Sequence, residues 1–225
     1  MRPRVIITDD GSHSLYHTAL NETYHSRHGA LTESQHVFIQ HGLAQVPASG
    51  RPIHVLEVGF GTGLNALLTW RYARNQNCAV HYTTLEPFPL EEDTWRLLNY
   101  GTSLNAEAEF VTLHQASWNE PHALDFCFTL LKVKTAVSDF DAPGPMYDVV
   151  YYDAFAPDKQ PDMWSEEILS VVTGQIRPSG ILVTYCAKGQ VRRTLRALGM
   201  TVESLPGPPG KREMTRAKRL ISAPK

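Results

Sequence analysis

Three carboxylates and three glycines carry the chemistry legible in this chain. The string Glu57-Val58-Gly59-Phe60-Gly61-Thr62-Gly63-Leu64-Asn65 lies where a β-prone run gives way to a helical pattern. Glycines there let a tight turn take positive φ and let a ligand lie against the N–H groups of a helix N-terminus. The spacing is G-x-G-x-G. It matches neither the G-x-G-x-x-G of dinucleotide binders nor the phosphate loop that closes on Gly-Lys-Ser/Thr. Glu57, two positions ahead of the first glycine, suits a cationic or hydroxylated ligand better than a pyrophosphate. Glu86 follows 29 residues later at the end of the next apolar run. A carboxylate at such a strand end accepts hydrogen bonds from two vicinal hydroxyls, as a ribose presents them. Asp153 ends a further apolar run and is followed by Ala154-Phe155-Ala156-Pro157.

Short apolar runs alternating with helical patterns position these groups, the signature of βαβ units and a parallel sheet. The pattern predicts strands at 53–58, 80–85, 110–114, 148–153 and 180–186, with helices at 64–75, 90–100, 165–176 and 189–198. A final antiparallel pair is predicted at 200–205 and 217–222 around Pro206-Gly207-Pro208-Pro209-Gly210. The fold expected is α/β, a mostly parallel seven-stranded sheet with helices on both faces. Residues 1–50 read as an N-terminal extension, with a short edge strand at 2–8 and a helix at 33–44 capped by Thr32; residues 51–225 read as the main domain. Residues 120–147 show no readable pattern.

With 42% hydrophobic and 20% charged residues over 225 positions, the composition is that of a folded globular chain. Cys78, Cys127 and Cys186 are few and widely spaced, which points away from a disulfide framework or a cysteine zinc site and towards a reducing compartment. The ten histidines form no ligand pattern, so no metal is expected. No run of 18 apolar residues and no leader-like start occurs, so the expectation is a cytoplasmic protein that does not engage a membrane. Charge is divided unevenly. Residues 1–185 hold 11 Lys and Arg against 21 Asp and Glu, whereas residues 186–225 hold 10 against 2. Such a basic end can attract a polyanion or form a solvated face.

The glycine string with its preceding glutamate resembles the S-adenosylmethionine loop of class I methyltransferases. That resemblance makes Glu57, Gly59, Gly61, Gly63 and Asp153 cofactor-binding candidates, with Glu86 on the ribose. After the third strand such enzymes usually carry a polar side chain for the adenine amino group; Ser117 is the candidate, with Gln115 competing and Trp118 as core. A narrower likeness rests on Asp153-Ala154-Phe155-Ala156-Pro157-Asp158-Lys159-Gln160-Pro161-Asp162-Met163-Trp164, on Val191-Arg192-Arg193-Thr194-Leu195 and on Gly210-Lys211-Arg212-Glu213-Met214. In that order the strings resemble the methyltransferase component of the bifunctional enzyme that completes 5-methylaminomethyl-2-thiouridine at the tRNA wobble position.

The likeness implies a Rossmann-like enzyme that methylates the exocyclic amine of a 5-aminomethyl-(2-thio)uridine. Asp153 would be the catalytic group, orienting the ammonium and taking its proton. Phe155, beside Pro157, would stack on a splayed pyrimidine, and Lys188, Arg192, Arg193, Lys211 and Arg212 would meet tRNA phosphates. Tyr24, Ser26 and Glu33 would close over the methionine end. The family's flavin-dependent oxidase has no counterpart motif here, which implies dependence on an upstream system that forms the aminomethyl group. Two other readings stay open: a small-molecule amine methyltransferase or aminopropyltransferase, and a non-catalytic tRNA-binding module. The basic end disfavours a polycationic substrate, and the intact acidic and glycine positions disfavour a dead site.

Overall fold

The computed structural model describes residues 2–47, 50–140 and 146–220. Strands β1 (Arg4–Ile7), β2 (His13–His17) and β3 (Glu22–Thr23) form a small antiparallel sheet. Helix α1 (Ala30–Ser34) runs directly into a π-helical segment, Gln35–Gln40. The chain then alternates: β4 (Ile53–Val58), α2 (Leu64–Gln76), β5 (Val80–Leu85), α3 (Glu92–Trp95), α4 (Tyr100–Leu104), α5 (Glu107–Gln115), β6 (Pro121–Ala123) and β7 (Phe128–Val133). It continues through β8 (Tyr147–Tyr152), α6 (Glu166–Gly174), β9 (Ile176–Thr184), α7 (Gly189–Ala197), β10 (Met200–Pro206) and β11 (Glu213–Arg219).

The large sheet has the order β10-β11-β9-β8-β4-β5-β7-β6. Its five central strands are parallel; β11 joins β9 antiparallel, and β6 and β10 are antiparallel edges. Strands covered on both faces read as unbroken apolar runs, and all six residues of β8 are buried. Alternation sends Tyr151 to one face, where it meets Phe38 and Tyr82, and Tyr152 to the other, against Trp164. The N-terminal segment shares the first of these cores through Leu15, Val37 and Phe38.

Several expectations change. Residues 110–114 are part of helix α5, not a strand: Phe110 and Leu113, three apart, are its buried face, and a short apolar run does not distinguish the two periodicities. The third central strand is β7, inside the stretch that showed no pattern, and β6 beside it makes the sheet eight-stranded. The helix expected at 90–100 is broken into α3 and α4. Helix α1 starts at Ala30 behind Gly29 rather than at a Thr32 cap, because Thr32 N and Oγ1 both donate to Asp10 Oδ2, at 3.0 and 2.8 Å. Strand β11 begins at Glu213, which shortens the hairpin loop to residues 207–212.

Two buried charges tie the sheet together. Lys132 on β7 donates from Nζ to Leu113 O and His114 O, both at 2.8 Å, and lies over the Trp118 ring, closing the last turn of α5. Burial pulls its pKa down to about 8. Asp148 on β8 accepts from Arg51 Nη1 and Nη2 at 2.9 and 2.6 Å, from Arg177 Nη1 at 3.2 Å and from His54 N at 2.8 Å. Burial raises its carboxyl pKa, but the Arg51 and His54 bonds outweigh that and hold it below the usual range. Asp148→Ala is expected to lower the unfolding free energy by about 2–3 kcal/mol at pH 7. A depressed carboxyl stabilises the fold above its unfolded pKa and loses that contribution as pH falls through its folded one. The gap to wild type in urea titrations is therefore expected to close under acid.

Candidate active site

Strand β4 is the switch point of the sheet: the chain runs from it through α2 to β5 on one side, while β8 lies on the other. Ligands of open parallel sheets collect at the carboxyl ends of such strands. A cavity of about 570 Å³ opens there, between the ends of β4, β5, β8 and β9 and a cover formed by residues of β2, β3 and α1.

The loop after β4 has Gly59 at φ +92°, Gly61 at +48° and Gly63 at +73°. It is pressed from both sides. A Cβ on Gly59 would stand 3.1 Å from the Asp153 carbonyl oxygen, and one on Gly61 would stand 3.3 Å from the Tyr24 ring. Gly63 caps α2, and a Cβ there would meet His114 Nε2 at 2.9 Å. Glu86 holds the neighbouring turn: Gly61 N donates to its Oε2 at 3.1 Å and Phe88 N to its Oε1 at 2.9 Å. Burial raises its pKa and these bonds hold it back. Each oxygen retains acceptor capacity for a hydroxyl in the cavity. Phe88, 82% exposed, offers an aromatic face at the rim beside it.

Asp153, at the end of β8, lines the cavity. Asn65 Nδ2 donates to its Oδ2 at 2.9 Å, leaving Oδ1 free of that bond. Burial raises its pKa to about 7, Glu33 pushes the same way, and Asn65 and Lys211 oppose them. Glu33, only 6% exposed, accepts Lys211 Nζ at 2.6 Å on Oε1 and Ser26 N at 2.8 Å on Oε2. The same ammonium sits 3.8 Å above the Tyr185 ring. Phe155 meets Tyr24 edge-to-face at 5.1 Å and His17 at 5.7 Å. The backbone that carries it is pinned: Trp164 Nε1 donates to Phe155 O at 2.7 Å and Tyr185 OH to Ala154 O at 2.8 Å. His25 bonds Thr62 Oγ1 through Nε2 at 2.7 Å, and burial lowers its pKa to about 4, so it is neutral at physiological pH.

The structure therefore brings Gly59, Gly61, Glu86, Asp153 and Phe155 to one cavity, together with Tyr24, Ser26 and Glu33. It does not bring Glu57 there. That carboxyl is fully buried beneath the loop, because β4 turns it towards α2 and β5. Ser117 is also elsewhere, its hydroxyl bonded to Glu120; with β7 as the third strand, Thr135, Ala136 and Val137 are the residues that reach the cavity. Pro157 lies beyond the lining.

The basic residues separate. Arg192 is consumed internally, donating to Thr215 Oγ1, Glu213 Oε2 and Met214 O, which fastens α7 to β11. Lys188 pairs with Asp158, and Lys211 points into the cavity. Arg193 and Arg212 are exposed. Sequence reading missed Asn65, His25 and Tyr185 as lining residues. Tyr185 had a usable signal, since it follows β9 as Asp153 follows β8; His25 had none.

Residues 106–220 match the profile of a family of S-adenosyl-L-methionine-dependent methyltransferases. The chain belongs to that family. It is 31% identical, over 95% of its length and 33% of the relative's, to the tRNA 5-methylaminomethyl-2-thiouridine biosynthesis bifunctional protein MnmC of Cupriavidus metallidurans. It is 33% identical, over 92% and 31%, to the protein of that name from Chromohalobacter salexigens. The chain thus spans about a third of the length of the curated relatives it matches. Among solved structures it is similar to MNMC2 from Aquifex aeolicus, with a TM-score of 0.76 and 25% identity over all of this chain and 73% of that one. The positive-φ glycines and the Glu86 carboxyl, whose oxygens keep acceptor capacity towards the cavity, suit the nucleoside half of the family's cofactor. Gly63→Ala is expected to cost about 1–2 kcal/mol for the left-handed residue alone. Calorimetry should show S-adenosylmethionine affinity falling, because the intruding Cβ displaces His114 and the start of α2.

Proposed function

We propose that this chain transfers a methyl group to the exocyclic amine of 5-aminomethyl-(2-thio)uridine at the tRNA wobble position, giving 5-methylaminomethyl-(2-thio)uridine, in the cytoplasm and downstream of a system that forms the aminomethyl group. The observation that supports it is a carboxyl at the transfer end of the cavity, Asp153, held near its midpoint at neutral pH and walled by Phe155, Tyr24 and Tyr185. The relatives' names, which print tRNA 5-methylaminomethyl-2-thiouridine biosynthesis, support this choice of substrate. On this reading Gly59, Gly61 and Glu86 hold S-adenosylmethionine, with Glu86 on the ribose hydroxyls. Bound S-adenosylmethionine supplies the electrophilic methyl group.

The chain's own residues manage the acceptor. An aliphatic amine arrives as an ammonium and attracts a carboxylate; Asp153 orients it, and Oδ1, the oxygen free of Asn65, takes the proton that must leave before nitrogen can act as a nucleophile. A carboxyl near pKa 7 can both accept that proton and release it to water in each cycle. Glu33 adds negative potential, and Lys211 keeps that potential from neutralising Asp153 altogether. The Phe155 and Tyr24 rings form the wall against which an unstacked pyrimidine lies. Alignment rather than covalent catalysis supplies most of the rate. Arg193 and Arg212, exposed like Arg196 and Lys218, are phosphate contacts the basic end can still offer, whereas Arg192 and Lys211 are engaged inside the protein.

Nucleoside mass spectrometry tests the reading, using tRNA bearing aminomethyluridine, unmodified tRNA and spermidine in parallel. One added methyl on the aminomethyl nucleoside alone is the expected result. Methylated spermidine with untouched tRNA would replace this reading by the small-amine one. Asp153→Asn is expected to lower kcat by about 10²-fold or more, with the S-adenosylmethionine Kd changed less than about threefold. Arg193→Ala combined with Arg212→Ala should weaken tRNA binding and reduce its salt slope by about 2. Arg192→Ala should instead appear in the melting temperature.

A further inference from the structure

Beneath the glycine loop lies a group of polar atoms that the reaction so far leaves unused. Both carboxyl oxygens of Glu57, Asn65 Oδ1, Tyr82 OH and Thr84 Oγ1 are buried and close no hydrogen bond among the described residues. Native proteins leave few such atoms; here three gather around the two oxygens of one carboxyl. Asn65 stands between that carboxyl and Asp153. Its Nδ2 bonds Asp153 Oδ2 at 2.9 Å, and the same amide is close enough to Glu57 to favour its ionised form, although it closes no bond there.

We propose that Asn65 is the positioning residue of the transfer site, coupling Glu57 and Asp153 so that the two carboxyls carry a single negative charge and fixing that charge on Asp153, where the acceptor amine needs it. The geometry sets the direction. A carboxylate is stable where donors and solvent reach it; Asp153 has a closed bond from Asn65, the nearby Lys211 ammonium and the cavity, whereas Glu57 is wholly enclosed, and the neutral Thr84, Tyr82 and Asn65 groups that favour its ionised form are outweighed by that burial. Glu57 is faced by Tyr82 and Thr84 from β5, by Tyr151 from β8 and by Asp153 itself. Asp153 is faced by Glu33 from α1, by Lys211 from the hairpin loop, by Tyr185 after β9 and by Tyr100 from α4. Burial raises both carboxyls, Glu57 to about 8 and Asp153 to about 7. A protonated Glu57 can also donate a hydrogen bond, which its ionised form cannot. The glutamate of the glycine string thus acts on the reaction through Asn65 rather than by touching the cofactor.

The test is a carboxyl ¹³C NMR titration of the free protein, with Asp153→Asn and Glu57→Gln used to assign the two resonances. In wild type, Asp153 should ionise near neutrality and Glu57 after it. In Asn65→Leu the Asp153 midpoint should move to higher pH, because a bond that favours its charged form is gone. A one-unit move would cut the ionised fraction at pH 7 about fivefold. Asn65→Ser, too short to reach Asp153, makes the same prediction if the leucine variant does not fold. Glu57 ionised below pH 6, or an Asp153 midpoint unmoved in both Asn65 variants, would overturn the proposal. The kinetic counterpart rests on the methyltransfer reading: the acid limb of kcat should shift upward in Asn65→Leu, with S-adenosylmethionine Kd changed less than threefold. Because the titration needs no substrate, it fails or succeeds independently of which amine is methylated.

Discussion

The constraint on which this site depends is the cost of holding carboxyls away from water. Glu57, Asp153 and Glu33 converge on the ends of β4, β8 and α1, where parallel strands covered on both faces leave little solvent. An isolated buried carboxylate is costly, so each must be paired, hydrogen-bonded or protonated. The three take different courses. Glu33 is paired with Lys211, Asp153 takes an amide N–H and sits near its midpoint, and Glu57, with only the neutral Thr84, Tyr82 and Asn65 groups to favour its charge, is pushed up to about 8 by burial. A graded set of this kind leaves one carboxyl, Asp153, near its midpoint at neutral pH and facing the cavity, as the proposed amine methylation requires.

Keeping water from these groups requires a cover, and the N-terminal segment provides it. Asp10 fixes that segment: despite burial, which works the other way, hydrogen bonds from Ser12 and Thr32 hold its pKa at about 2 and join the β1–β2 turn to α1. Helix α1 in turn carries Glu33 to Lys211, and His36 Nε2 lies 2.9 Å from Pro206 O in the adjoining hairpin. Opposite ends of the chain therefore close over the cavity, and Tyr24 is wedged between the glycine loop and Phe155 as a result. Aromatic rather than aliphatic residues line that seam, which gives flat faces suited to a base as well as apolar area.

The basic end shows how a charge count differs from a surface field. Arg192 spends its guanidinium on β11, Lys188 on Asp158 and Lys211 on Glu33, so much of the positive excess neutralises or braces internal structure. Surface attraction for a polyanion would rest on the exposed cations that remain, Arg193, Arg196, Arg212 and Lys218. The carboxyls of the cavity and the exposed cations are then separate fields, which the proposed function would use for an ammonium and for phosphates.

The sequence by itself determined the central strands at 53–58 and 80–85, the helix behind the glycine string and the carboxyl-end placement of Glu86 and Asp153, because hydrophobic periodicity and glycine spacing are local properties. The resemblance in its strings also led to the family. Only the tertiary structure decided that residues 110–114 are helical and that β7 takes the third place in the sheet, since a short apolar run fits either period until a neighbouring strand claims its backbone. It likewise decided which charges face the cavity. Glu57 and Lys211 are the clearest pair: the motif placed the first in the site and the second on the surface, and the fold exchanged them. The direction of a strand's pleat and the reach of a lysine stem across 178 residues of chain are consequences of packing. No spacing in the sequence encodes them.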